Sequence, residues 1–131
     1  IELHIVSAKG LKWGVGKCST FVQVRGDGEQ KIWYRTKEVK RTNSPTYNES
    51  CIVAFTRDII CSILDSGTKE TLGDVCVSLA ELVHVGVFDV EGKTERNFPV
   101  MQGSKQVGEL GLGFTPVRQR EGEKDRTREK G

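Results

Sequence analysis

Residues 34–55 constrain the fold more than any other stretch of the chain. They start as a basic run, pass through the polar segment TNSP at residues 42–45, and continue as a second, more apolar run. Asn and Ser side chains bond to nearby backbone, and proline fixes its own φ angle, so this segment predicts a turn. Successive side chains of a strand point to opposite faces. We therefore expect Arg35, Lys37 and Val39 on one side of a strand before the turn.

The remaining chain shows further short apolar runs separated by polar or glycine-containing segments. Strands are expected at residues 2–8, 20–25, 31–40, 50–55, 59–64, 72–79, 95–101 and 107–116. Ile52, Ala54 and Phe55 are expected to enter the core, and residues 80–83 to form one helical turn. Eight short strands with almost no helical periodicity favour an all-β, two-sheet antiparallel sandwich.

Three segments carry a resemblance to a known family. Residues 36–49 resemble the T-K-x-x-x-x-T-x-N-P-x-[WY]-N-E pattern of C2 domains, with Ser44 where that family has Asn. Residues 3–11 are similar to the first strand of the same family. Residues 63–65 and 72–73 match a later part of it. The three matches follow the family's order, and they imply an eight-stranded antiparallel C2 β-sandwich.

The resemblance also implies a domain boundary and a strand topology. It covers residues 1–117, and because the strand at residues 108–114 comes last, it implies the type II topology. Residues 118–131 contain no apolar side chain and are expected to form a charged, disordered tail or linker. Residues 108–117 resemble the end of C2 domains in tricalbins and extended synaptotagmins, which act at membrane contact sites. The parent chain is therefore expected to be a longer, multi-C2 protein of membrane trafficking.

The charge of the chain is uneven. The chain has 20 basic and 18 acidic residues, of which residues 118–131 hold six and four. The rest of the chain therefore has 14 of each sign and is neutral. Residues 31–41 hold five basic residues and one acidic residue, Glu38. One basic strand on a neutral body favours a local anion site over nucleic-acid binding. The same pattern would result if this were an edge strand whose lysines prevent it from pairing with a strand of another molecule.

The C2 resemblance assigns candidate lipid-binding positions. In some C2 domains, cations on two adjacent strands form a groove for phosphoinositide head groups. The positions that match are Arg25, Arg35, Lys37 and, near the end of the predicted strand, Lys40. Gln23 stands where the family often has Lys, and Arg side chains suit phosphate geometry. Trp13 is expected at a loop tip, either to enter the membrane interface or to pack against the end of the sandwich.

The same resemblance argues against calcium. C2 domains that bind calcium collect aspartates from two loops, because the ion needs six to eight oxygen ligands. The corresponding positions here are Trp13, Ser19, Asp65, Gly67 and Glu70. Two carboxylates, with Lys17 and Lys69 nearby, do not offset the cost of dehydrating a divalent ion. No metal is therefore expected, and Asp65 is expected to cap its loop.

The residues that catalysis would need are missing. The two histidines, His4 and His84, lie 80 positions apart. Residues 13–19 approximate a phosphate-binding loop, but Leu11 occupies the place of the first glycine and Cys18 that of the Ser or Thr. The four cysteines form no C-x-x-C pair, so they are expected as core thiols, with a disulfide as the alternative. We predict no enzyme and no cofactor.

Together these observations predict a calcium-independent C2 module that brings a larger protein to anionic membrane, either phosphoinositide or phosphatidylserine. We expect it to be cytoplasmic and peripheral, because core thiols are typical of a reducing compartment and no apolar run approaches the ~20 residues of a membrane helix. The alternative is a degenerate C2 domain that acts as a protein–protein scaffold without lipid binding.

Overall fold

The computed structural model of the chain describes residues 1–11, 18–53, 57–84 and 93–116. Within these residues, each paired strand runs antiparallel to its neighbour. The elements are β1 (Glu2–Lys9), β2 (Thr20–Gly26), β3 (Ile32–Arg35), β4 (Thr46–Ile52), β5 (Ile59–Asp65), β6 (Thr71–Val77), α1 (Leu79–His84), β7 (Thr94–Gln102) and β8 (Lys105–Thr115).

The eight strands form two halves of four. They follow the order β3-β2-β5-β6-β7-β8-β1-β4, and β6 meets β7 through the residue pair Asp74 and Met101. One cluster of buried side chains takes members from both halves, such as Leu3 of β1 and Val22 of β2. The halves therefore pack face to face across one core. The predicted eight-stranded antiparallel sandwich is confirmed, whereas the type II topology stays a prediction.

Alternation along single strands explains which side chains form this core. In β8, Leu110, Leu112 and Phe114 are fully buried at period two, as the sequence predicts. In β2, Val22 and Val24 are fully buried, and Gln23 between them faces outward. Burying one Val, Leu or Phe side chain contributes roughly 1.5–3 kcal/mol, so these alternating positions fix which face of each strand turns inward.

The first basic strand is shorter than expected. β3 ends at Arg35, because Thr36 donates its N–H to the carbonyl of Val22 and accepts the N–H of Val22 with its hydroxyl, both at 2.9 Å. Beyond this point Val39 forms an isolated bridge with Thr20 and packs against the core. The prediction that Arg35 and Val39 share one side of a continuous strand is therefore wrong.

The strand after the turn is also shifted. β4 begins at Thr46, four residues before the predicted start. Its register pairs Cys51 with Leu3, so Ile52 points to the opposite face. Ile52 is 67% exposed, and its predicted core position is wrong. Residues 54–55 lie outside the described residues.

The boundaries of β5 to β8 agree with the prediction to within two residues. The predicted helical turn is the short helix α1, which places Leu82 in the core. No helix among the described residues is long and apolar enough to cross a membrane. The predicted tail at residues 118–131 lies outside the described residues and stays a prediction.

Side chains close the gap between the edge strands β3 and β4. The hydroxyl groups of Thr20 and Tyr47 share a buried hydrogen bond of 2.7 Å. The Tyr34 hydroxyl donates to one oxygen of Glu49 at 2.6 Å, and the other oxygen accepts the backbone N–H of Lys37 at 2.8 Å. The segment that follows β3 is thereby held against β4.

The Thr20–Tyr47 hydrogen bond gives a prediction for stability. Tyr47→Phe leaves the buried Thr20 hydroxyl without this partner and should lower the free energy of unfolding by about 1–3 kcal/mol. Thr20→Val leaves the hydroxyl of Tyr47 without its hydrogen-bond partner and should lower the free energy of unfolding in the same way. The double variant should lose clearly less than the sum of the two single losses, because both polar groups are then removed. Urea unfolding of the four proteins measures this, and additive losses would contradict a direct bond.

The two tyrosines give a prediction for pH. The hydrogen bond to Glu49, with burial, raises the pKa of Tyr34 to about 12, and burial raises that of Tyr47 to about 12. Ultraviolet titration of the folded protein should show no tyrosinate midpoint near pH 10. Since the folded-state values exceed the ordinary value of 10.0, the tyrosines' contribution to stability is complete below pH 10 and is lost between pH 10 and 12.

Glu49→Gln is the matched variant for that titration. It removes the carboxylate that favours the protonated phenol, so the pKa of Tyr34 should fall while that of Tyr47 stays raised. A titration unchanged by this variant would show that Glu49 does not hold Tyr34.

Candidate functional site

The outward-facing side chains of β2 and β3 form one surface. β2 alternates, so Phe21, Gln23 and Arg25 lie on the side away from the core. Arg35 of β3 stands opposite Gln23 in the register and therefore projects from the same side. We call this surface, made of Phe21, Gln23, Arg25 and Arg35, the β2–β3 outer face.

Gln23 orients Arg35 on this face. Its Oε1 accepts hydrogen bonds from Arg35 Nε at 3.0 Å and Nη2 at 2.7 Å. Arg35 Cζ lies 5.6 Å from the centre of the Phe21 ring, a cation–π distance. The Gln at this position, where the family often has Lys, thus fixes a neighbouring guanidinium. Among the described residues, no further group accepts from it, so its other N–H donors are available to an anion.

A second cation reaches the same ring from the turn between β5 and β6. Lys69 Nζ lies 5.4 Å from the centre of the Phe21 ring and donates to the carbonyl of Ser66 at 2.7 Å. The backbone of Lys69 has φ 66, a conformation that costs a non-glycine residue about 1 kcal/mol or more. Its side-chain contacts offset part of that cost and hold the ammonium near the Phe21 ring.

These residues line an open cavity of about 550 Å³. Glu38 extends into it from the segment after β3, and its carboxylate accepts a hydrogen bond from the Ser66 hydroxyl. This bond joins two connections that are far apart in sequence. The lining residues, which we call the Phe21 pocket, are Phe21, Gln23, Arg35, Thr36, Glu38, Leu64, Ser66 and Lys69.

The structure brings together only part of the predicted cation set. Arg25 is half-buried, and its Nη1 donates to the carbonyl of Glu29 at 3.2 Å, so it lies on the outer face but not in the pocket. Lys37 and Lys40 are exposed and follow β3 instead of belonging to it. Trp13, the predicted membrane-inserting residue, lies outside the described residues.

Sequence reasoning missed Lys69 and Phe21 as members of the site. In the sequence, Lys69 lies 34 positions after Arg35 and in a turn, and it predicts only a charge that opposes calcium. The one signal for a further role is a lysine in a short turn beside a strand that pairs with β2. Its position near the Phe21 ring depends on the register in which Phe21 faces Leu64.

The loop that matches the calcium-binding position is closed by its own hydrogen bonds. Asp65 Oδ1 accepts the backbone N–H groups of Gly67 at 2.7 Å and Thr68 at 3.3 Å, which is the geometry of a residue that caps a turn. Ser19 contacts the loop through its carbonyl, which accepts the N–H of Ser66 at 2.8 Å. Within the described residues, no three His, Cys, Asp or Glu side chains are grouped to hold a metal ion.

Known proteins share this architecture. The family model described as C2 domain matches residues 1–100. No curated protein matches the chain. A solved C2 domain of plant Extended Synaptotagmin 1 superposes with a TM-score of 0.70 at 18% identity, covering 90% of this chain and 95% of that one.

Two further solved structures share the fold as parts of larger chains. Extended-Synaptotagmin 2, in a structure of its SMP domain with two C2 domains, matches with a TM-score of 0.68 at 20% identity, covering 87% of this chain and 26% of that one. Human GIVD cytosolic phospholipase A2 matches at 0.65 and 18%, covering 87% of this chain and 15% of the enzyme. Identities this low show the fold alone. The family match over residues 1–100 of 131 shows that the chain belongs to the C2 domain family.

Proposed function

We propose that this C2 domain is a calcium-independent module that brings a larger protein to anionic phospholipid membrane, with Arg35 and Lys69 as its principal cations. The observation that carries the proposal is that both cations lie within 5.6 Å of the centre of one ring, Phe21, beside an open cavity. Fixed cations on an otherwise neutral body attract phosphate locally, and Arg35 can bind it through two N–H groups.

The strength of this attraction is modest. A surface cation near an anionic leaflet contributes on the order of 1 kcal/mol. Arg35 and Lys69 therefore give weak binding, to which the neighbouring cations Arg25, Lys37 and Lys40 add. Weak modules become effective when several of them act in one chain, because the second contact forms at a high effective concentration. This is the behaviour expected of one domain in a multi-C2 protein, and the tricalbin or extended-synaptotagmin type of parent stays a prediction.

Calcium independence is supported by the state of the loop after β5. Asp65 Oδ1 accepts two backbone N–H groups, and Lys69 Nζ binds the carbonyl of Ser66 in the same turn. A calcium ion there would compete with an ammonium group for the loop oxygens. These hydrogen bonds use loop oxygens that a calcium ion would need as ligands.

The thiols fit a cytoplasmic, peripheral location. Cys51, Cys61 and Cys76 form no disulfide among the described residues. Burial raises the pKa of the Cys61 thiol to about 12 and that of Cys51 to about 11, so both remain protonated and unreactive at neutral pH. Free structural thiols are typical of reducing compartments.

Ile52 favours a second function. It is a large apolar side chain on β4 that is 67% exposed, and a partner protein that covered it would remove apolar surface from water. On this alternative, the domain is a protein–protein scaffold without lipid binding. Vesicle binding separates the two functions.

Vesicle sedimentation tests the membrane function directly. The wild-type domain should bind phosphatidylcholine vesicles that contain phosphatidylserine or a phosphoinositide, equally with and without a calcium chelator. Arg35→Gln and Lys69→Gly should each weaken binding about fivefold, the equivalent of ~1 kcal/mol. Lys69→Gly should also keep or raise the melting temperature, since glycine adopts positive φ without strain.

Lys93→Gln is the matched control. Lys93 is paired with Glu95 at 3.0 Å beside the other half of the sandwich, so its loss removes one positive charge without touching the pocket. Its effect on vesicle binding should be small. Absence of binding to every anionic vesicle would overturn the membrane function and favour the scaffold.

Thermal unfolding tests calcium independence. Calcium at 100 times its dissociation constant would raise the free energy of unfolding by ~2.7 kcal/mol and so shift the melting temperature by several degrees. We expect equal melting temperatures in about 1 mM calcium and in excess chelator, since about 1 mM is 100 times a dissociation constant of about 10⁻⁵ M, the weak end of the calcium-sensor range. A rise of several degrees in calcium would contradict the proposal.

A further inference from the structure

Two hydroxyl residues of the chain are followed directly by proline, Ser44 and Thr115. The residue before a proline is restricted to extended backbone conformations. Protein kinases bind the acceptor segment of a substrate in an extended form, and the proline-directed kinases require a proline directly after the acceptor. Both residues are therefore candidate phosphate acceptors by sequence, and the structure separates them.

Thr115 is engaged by the fold. It is the last residue of β8 and pairs with Glu2 of β1. Its side chain is only partly exposed, and its Oγ1 shares a hydrogen bond of 3.0 Å with His4 Nε2. A kinase would reach this hydroxyl only after the end of β8 had separated from β1.

Ser44 has no such contacts. It is exposed in the connection between β3 and β4, and among the described residues its hydroxyl makes no hydrogen bond. Only its backbone N–H is used, because it donates to Thr42 Oγ1 at 3.0 Å. The Ser44 hydroxyl can therefore be modified without the loss of a hydrogen bond or of strand pairing.

A kinase must also reach Pro45, which requires a local opening. Pro45 is buried and its carbonyl accepts the N–H of Ala8 at 2.9 Å, while the carbonyl of Asn43 accepts the N–H of Leu11 at 3.3 Å. Releasing these two hydrogen bonds frees the connection, whereas β4 pairs with β1 only from Thr46 onward. Openings confined to one connection cost less free energy than unfolding of the whole domain.

Two cations precede Ser44 in the same connection. Lys40 and Arg41 are exposed, and neither belongs to an ion pair among the described residues. A serine phosphate carries about −1.5 to −2 charges at neutral pH. A phosphate on Ser44 would therefore cancel most of the positive charge of these two residues.

This connection lies beside the turn that contributes to the Phe21 pocket. The Ser19 hydroxyl accepts the N–H of Arg41 at 3.2 Å, and the Ser19 carbonyl accepts the N–H of Ser66 at 2.8 Å. Ser66 in turn lines the pocket. A negative charge on the connection would thus act at the same end of the sandwich as the cations of the candidate site.

We propose that Ser44 is a phosphorylation site for a proline-directed kinase, and that its phosphate weakens attachment to anionic membrane. The site stands on the contacts of Ser44, whereas the regulatory role rests on the proposed membrane function. In the reaction, Ser44 Oγ attacks the γ-phosphorus of ATP, the bond from that phosphorus to the bridging oxygen breaks, and ADP leaves. The hydroxyl proton passes to the catalytic aspartate of the kinase.

Labelling of the folded chain tests the site. The whole chain is incubated with ATP and a purified mitogen-activated protein kinase, a proline-directed enzyme, and the phosphate is located by peptide mass spectrometry. We expect phosphate on Ser44, little on Thr115, and none on the connection in Ser44→Ala. That variant should keep the wild-type melting temperature, because the Ser44 hydroxyl has no partner to lose.

A peptide of residues 40–48 is the control for the kinase. If Ser44 of the chain stayed unlabelled, the site would be overturned: a labelled peptide would show that the fold protects Ser44, and an unlabelled one that the sequence is no substrate. Labelling of Thr115 in preference to Ser44 would overturn it as well.

Vesicle sedimentation of the phosphorylated chain tests the regulatory role. Binding to phosphatidylcholine vesicles that contain phosphatidylserine should weaken at least about fivefold, because each cation near an anionic leaflet accounts for about that factor. Ser44→Asp and Gln30→Glu are a matched pair that each add one negative charge. Gln30 is exposed in the connection between β2 and β3, at the other end of these strands. Ser44→Asp should weaken binding, and Gln30→Glu should change it little.

The outcomes separate the two proposals. Equal binding of the phosphorylated and unmodified chains, or equal effects of Ser44→Asp and Gln30→Glu, would overturn the regulatory role. Failure of the unmodified chain to bind any anionic vesicle would overturn the membrane function and the regulatory role with it. The labelling result decides the site in either case.

Discussion

The hydroxyl of Thr36 is the contact on which the candidate site depends. It accepts the N–H of Val22 in place of a backbone carbonyl and so ends the ladder between β2 and β3. Before this point Arg35 is held in register opposite Gln23; after it the chain leaves the strand, and Glu38 reaches Ser66. If β3 continued to residue 40, its side chains would alternate between the two faces of the sheet along its whole length. The backbone would then run on beside β2 and would not turn towards the β5–β6 connection. The pocket exists because the strand stops.

The site is built from interactions that are individually weak. A cation over Phe contributes roughly 0.5–1 kcal/mol at an exposed position, and the hydrogen bonds from Arg35 to Gln23 are exposed to water. Their effect is to hold Arg35 and Lys69 near one ring, so that on the proposed function less side-chain entropy would be lost on binding.

The sequence was most informative where one face of a strand is buried. Leu110, Leu112 and Phe114 alternate at period two, and their burial could be read directly from that pattern. Ile52 could not be placed in this way, because a short apolar run is compatible with either register and only the pairing of Cys51 with Leu3 decides it. The same holds for Lys69, whose contact with Phe21 depends on how β5 pairs with β2 and on the form of a turn. Local sequence patterns predict which residues form strands. The candidate site, however, lies where two connections meet that are far apart in sequence, and local patterns do not predict that contact.

The turn after β5 shows how the same fold can keep a loop ordered by different means. In a calcium-binding C2 domain, aspartates from separate loops converge on an ion, and the ion offsets their repulsion. Here Asp65 is engaged by the N–H groups of Gly67 and Thr68, and the ammonium of Lys69 returns to the carbonyl of Ser66. The donors that close this turn therefore come from the chain itself. The Lys69 ammonium also lies 5.4 Å from the centre of the Phe21 ring, so the candidate site lies on the wall of the sandwich.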